Sequence, residues 1–132
     1  MEVYADSLTE EALRRDFYYA FTDTRYPGIP ELRMHTIALD PFIVGDIPVT
    51  PILVWHLKMP VMGFRFGKFT YITDANHIDA DSKEKIKGSE ILVLNALRKQ
   101  KHISHQLGLH DIIESELPEG IHLAYDKLVI EV

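Results

Sequence analysis

The stretch PILVWHLKMPVMGFRFGKFTYITDAN, residues 51–76, decides the fold. An apolar run over residues 52–55 ends in His56, and a second over residues 69–73 ends in Asp74. Between them, residues 63–67 read as a compact hairpin-like connection. Two hydrophobic strands thus each finish with a side chain that can bind a metal. If the two are neighbours and run the same way, His56 and Asp74 emerge at one sheet edge, where sites in α/β sheets are usually built.

Working outward, residues 64–66 and 69–73 read as a hairpin turning at Gly67-Lys68. Upstream, residues 42–44 and 47–49 read as another, with Gly45-Asp46 as a two-residue connection. Pro48 and Pro51 lack ladder donors, which predicts an edge strand or a bulge. Residues 2–5 suit a short strand. Ser7 and Glu10 fit a capping box, followed by a helix over residues 8–21. Residues 22–31 are a loop punctuated by Pro27-Gly28 and Pro30, and residues 32–39 a strand. Downstream, acidic residues early and lysines late predict a helix over residues 79–87, stopped by Gly88. Residues 90–97 show no alternation and predict a strand buried on both faces. Residues 109–117 suggest a helix, and residues 121–125 with 128–132 a terminal hairpin.

The bulk numbers bound the function. At 132 residues, one domain spanning 1–132 is the default. The net charge of −6 supplies no field for phosphate backbones, which argues against nucleic-acid binding. The absence of cysteine excludes a disulfide framework and a thiolate metal site, leaving imidazole and carboxylate as metal donors. No stretch has signal-peptide or membrane-spanning character, so the expectation is a cytoplasmic protein without membrane contact.

Alone, His56 reads as a strand-end histidine bonded to backbone, and Asp74 as a turn or cap residue in Thr-Asp-Ala-Asn. Together, at the ends of two apolar strands, they favour a metal edge. Three further imidazoles, His102, His105 and His110, fall within nine residues. On spacing alone that cluster reads equally as a solvated loop or as ligands. His35 and His122 sit in strand-like runs and read as structural or surface residues. His77 lies near the edge, within reach of a substrate. Arg65 reads as a solvent-facing strand residue or an anion ligand. No P-loop, dinucleotide fingerprint, nucleophile elbow or H-E-x-x-H segment is present.

VWHLKMPVMGFRFGKFTYITDAN, GSEILVLNALRKQ and KHISHQLGLHDIIESELPEG resemble the C-terminal half of metallo-β-lactamase-fold hydrolases, in the branch of cyclic-phosphate phosphodiesterases. The resemblance covers nearly the whole chain, VYADSLTEEALRRDF included. It implies an α/β fold: half of an αββα sandwich, a mixed sheet with helices on one face. It also implies a metal-dependent phosphodiesterase acting on a small-molecule phosphodiester or ester through metal-bound hydroxide, with Zn or Mn. Carried over by position, His56, Asp74 and His102 hold metal and His105 is the catalytic proton donor. Relatives carry two H-x-S-H segments where this chain has one, so ligand and proton donor remain exchangeable between these two histidines. The family signature H-x-H-x-D-H is missing. The chain therefore reads as a truncated, internally shortened portion, able to hold at most one sparsely coordinated metal. Half a sandwich exposes an apolar sheet face, which predicts a homodimer or larger assembly. The alternative is a non-catalytic structural or interaction module left from such a hydrolase.

Overall fold

The computed structural model describes residues 1–22, 27–95, 114–124 and 128–130. It opens with strand β1 (Glu2–Ala5), helix α1 (Ser7–Asp16) and a single 3-10 turn (Tyr18–Ala20), followed by strand β2 (Arg33–Thr36). β1 and β2 pair in parallel as a two-stranded sheet. The cap of α1 falls one residue earlier than predicted: Asp6 accepts from the Thr9 amide at 2.8 Å. Glu10, expected to close a capping box, instead binds Arg14 at 2.8 Å and the Thr36 hydroxyl, fastening α1 to β2. The helix stops at Asp16 rather than reaching residue 21.

Among the described residues the second sheet has five strands in the order β3 (Phe42–Val44), β4 (Ile47–His56), β5 (Met59–Phe66), β6 (Phe69–Ile72) and β7 (Ile91–Leu94). Helix α2 (Ala80–Ile86) connects β6 to β7, which lie parallel; the other pairings are antiparallel. The hairpins predicted at Gly45-Asp46 and Gly67-Lys68 form, and the sheet is mixed as expected. Sequence reading missed the first half of β5, because the connection after His56 is a two-residue turn at Leu57-Lys58 and not a longer segment.

β4 is an inner strand, not the edge its prolines predicted. The tight Leu57-Lys58 turn makes His56 and Met59 a hydrogen-bonded pair, so even-numbered residues of β4 bond β5 and odd-numbered ones face β3. Pro48 lies one step past the end of β5, and Pro51 lies past the end of β3. No ladder donor is required at either place. The odd-numbered carbonyls that β3 leaves open are capped from α2 and the loop before it. Lys85 Nζ donates to Pro51 O at 3.0 Å, the Ser82 hydroxyl to Leu53 O, and the Asn76 amide to Trp55 O at 2.8 Å.

The core is small. Ile52, Val54 and Ile72 are fully buried, with Val61, Ala75, Ile78 and Ile86 packed around them. The face shared by even residues of β4 and by Ile72 therefore lies under α2. Gly63, opposite Ile52, is required by this packing: a Cβ there would meet Ile72 Cγ1 at 2.6 Å and Tyr71 O at 3.1 Å. Gly63→Ala is expected to destabilise by about 1–3 kcal/mol through overpacking, checked by chemical denaturation.

Two further expectations are corrected. β7 is an edge strand among the described residues, with Leu92 and Leu94 each over 40% exposed, so it is not buried on both faces. Residues 121–124 and 128–130 form no strand, so the terminal hairpin is absent among the described residues. Of the predicted helix over 109–117, only residues 114–115 are described as helical.

Candidate functional site

β4 and β6 flank β5 and are both antiparallel to it, so they run the same way. They are not neighbours, as the sequence reading had supposed, but the consequence is the same. His56, the last residue of β4, and Asp74, two residues past β6, reach the same rim of the sheet. Both line one cleft of about 620 Å³. The β1–α1 junction also lines it, through Tyr4, Asp6 and Thr9, as do Met62 and Phe64 of β5. Both side chains are exposed to the cleft, and among the described residues neither has a hydrogen-bond partner. The backbone bond expected of a merely structural His56 ring is therefore not made.

The backbone at both positions is unusual. Asp74 has φ 54°, a left-handed conformation uncommon outside glycine. Beside His56, Leu57 has φ 59°. In all three two-residue hairpins of this sheet the first turn residue has positive φ: Gly45 at 65°, Leu57 at 59° and Gly67 at 59°. Only the turn adjoining His56 uses a residue with a side chain, and Leu57 is 77% exposed, so packing does not explain it.

The loop after Asp74 is laced to the end of β4. Asn76 Oδ1 accepts from the Leu57 amide at 3.0 Å. The Trp55 amide donates to His77 O at 3.0 Å, and the Ala75 amide to Asn95 Oδ1 at 3.0 Å. His77 does not face the cleft: its Nε2 lies 2.8 Å from Asp79 Oδ1, whose other oxygen accepts from Trp55 Nε1 at 2.7 Å. The Trp55 bond, then that of His77, hold the Asp79 carboxyl below the usual carboxylate range. A depressed pKa adds stability that is present above the unfolded-state value and lost as pH falls through the folded one. The melting-temperature gap between the native chain and Asp79→Asn should therefore be widest near neutral pH and close in acid, as measured by thermal melts across pH.

Other candidates are structural. Arg65 neither faces solvent nor waits for an anion: it donates to Gly67 O at 2.6 Å, Lys85 O at 2.8 Å and Lys87 O at 2.6 Å, capping the C-terminal end of α2. His35 pairs with Glu2 and stacks on Tyr4, and His122 pairs with Glu114. His102 and His105, the predicted ligand and proton donor, lie outside the described residues, as does His110. Asp6 was missed as a cleft residue. Its signal was available, since it follows the end of a strand just as Asp74 does, but both its oxygens are taken by Thr9.

The family profile described as a beta-lactamase superfamily domain matches residues 1–125. The chain belongs to that family. Its solved relatives include a new diphosphatase from the PhnP family, which matches with a TM-score of 0.84 at 27% identity over 97% of this chain and 56% of that one. The metallo-β-lactamase fold expected from the sequence is thereby established. A curated octanoyltransferase from Porphyromonas gingivalis (strain ATCC BAA-308 / W83) is 29% identical over 155 residues, or 97% of this chain and 32% of that protein. The chain thus spans about half of one relative and a third of the other. No helix among the described residues is long and apolar enough to cross a membrane.

Whether the residues fit a metal can be judged from the donors. Imidazole and carboxylate at one rim, both without side-chain partners among the described residues, suit Zn or Mn in chemical type. In number they fall short: among the described residues no group of three such donors comes together.

Proposed function

We propose that the chain is a metal-dependent hydrolase acting on a small phosphodiester or related ester. The observation that supports this most is the convergence of His56 and Asp74, two donor side chains unpartnered among the described residues, on one cleft at a common strand end. In this reading His56 and Asp74 hold Zn or Mn, and a third donor comes from His102. A divalent ion bound there supplies Lewis acidity and activates water for attack on phosphorus. His105 donates the proton to the leaving oxygen, unless the two histidines exchange roles. The cleft volume suits a small molecule. The likeness to a PhnP-family diphosphatase agrees with a phosphorus ester as substrate. The octanoyltransferase name belongs to a protein of which the match covers one third, and it gives no acyl-transfer role to the residues at this cleft.

The test is hydrolysis of bis(p-nitrophenyl) phosphate by the purified chain, with Zn or Mn and with chelator. Metal-dependent turnover that falls at least tenfold in His105→Ala and His56→Ala supports the reading; turnover indifferent to chelator overturns it.

A second reading, a non-catalytic interaction module, is favoured by the count of only two free donors at the cleft among the described residues. Metal binding without turnover would select it. Under either reading the exposed apolar side chains, among them Ile43 at 66% and Tyr71 at 45%, favour self-association. The expectation is a homodimer or larger by sedimentation equilibrium; a monomer at all concentrations counts against it.

A further inference from the structure

We infer that Asn76 is a positioning residue that fixes the spacing between His56 and Asp74, an assignment that rests on the metal-site reading above. Three observations converge on it. First, Asn76 bonds the end of β4 twice, through its amide to Trp55 O at 2.8 Å and through Oδ1 from the Leu57 amide at 3.0 Å. These bonds bracket His56 in sequence. Second, Asn76 stands two residues after Asp74, so the same side chain ties the turn that carries the carboxylate to the turn that carries the imidazole. Third, both turns hold a non-glycine residue at positive φ, Asp74 at 54° and Leu57 at 59°. Such conformations are costly and persist only where surrounding bonds over-determine them. The Asn76 carboxamide supplies that constraint at Leu57, where burial does not, because the leucine is 77% exposed.

The chemistry explains why this residue type is suited to the task. The Leu57 amide needs an acceptor at this point. A neutral amide oxygen provides one without adding a charge next to the donors. Asn95 repeats the device one strand further on, accepting from the Ala75 amide at 3.0 Å, so that the Asp74 loop is held from both sides. Outer groups that orient metal ligands typically change metal affinity 10–100-fold when removed.

The test compares the native chain with Asn76→Leu, which keeps the bulk and removes the acceptor, and with Asn76→Asp, which restores an acceptor oxygen. Two readouts are used: Co²⁺ titration followed by its visible absorption bands, and hydrogen exchange of the Leu57 amide in the metal-free chain. The expected result is faster Leu57 exchange and 10–100-fold weaker Co²⁺ binding with altered bands in Asn76→Leu, both largely recovered in Asn76→Asp. Native Co²⁺ affinity and bands in Asn76→Leu would overturn the assignment while leaving the metal site intact. A native chain that takes up no Co²⁺ would instead overturn the metal-site reading, and the assignment with it.

Discussion

Ile52→Ala is expected to lower the free energy of unfolding by about 2–5 kcal/mol, the range for deleting buried branched side chains from packed cores. Ile52 is fully buried between β4 and α2, among Val54, Ile72, Ile78 and Ile86. Its partner across the strand pair is Gly63, which has no side chain to move into the space. Among the described residues the rest of this cluster is Val54 and Ile72 with a thin surround, so few neighbours can relax into the gap. Ile43→Ala on the edge strand is the control: at 66% exposure it should shift stability by no more than about 0.5 kcal/mol. Urea denaturation checks both, through a lower midpoint at unchanged slope. Equal effects for the two would mean that the sheet does not pack on α2 as described.

The second large effect concerns the rim. If His56 and Asp74 hold zinc, then free zinc at 100 times its dissociation constant should stabilise the native chain by about 2.7 kcal/mol. His56→Ala and Asp74→Ala should each lose most of that stabilisation, since among the described residues they are the two free donors that line the cleft. His35→Ala and His122→Ala should keep it, because those rings are paired with Glu2 and Glu114 away from the cleft. Thermal melts with and without zinc read the difference. Zinc stabilisation that survives in both rim variants would place the ion elsewhere.

The parts of this fold that were legible in the sequence are those in which local chemistry and tertiary structure agree. Gly45 and Gly67 mark their hairpins because two-residue turns need positive φ at the first position, and glycine supplies it. The intervening hairpin was missed for the converse reason. Leu57 occupies the same backbone conformation without glycine's mark, held there by the bond its amide donates to Asn76 Oδ1, which no local pattern reveals. The first half of β5 was lost with it. Pro48 and Pro51 misplaced β4 at an edge, because the register that makes them harmless depends on where β3 and β5 stop. β7 was read as buried since an unbroken apolar run cannot say whether a strand lies inside a sheet or at its border.

At the site, His56 and Asp74 were visible as donors that end apolar runs. Their common rim requires the whole of β5 to lie between them, where the sequence reads only a compact connection at residues 63–67. Arg65 could not be placed, because its partners are the last carbonyls of α2, some twenty residues away. Asn76 showed only as good turn chemistry. The strain at Leu57 breaks a local rule at the edge of the candidate site, where such exceptions are expected to concentrate.

The most direct measurement is an anomalous difference map at the zinc edge from crystals of the chain grown with zinc. The account expects a peak at bonding distance, about 2.0–2.2 Å, from a His56 ring nitrogen and an Asp74 oxygen. A peak on His77 with Asp79, or on His122 with Glu114, with none at the rim, would contradict it.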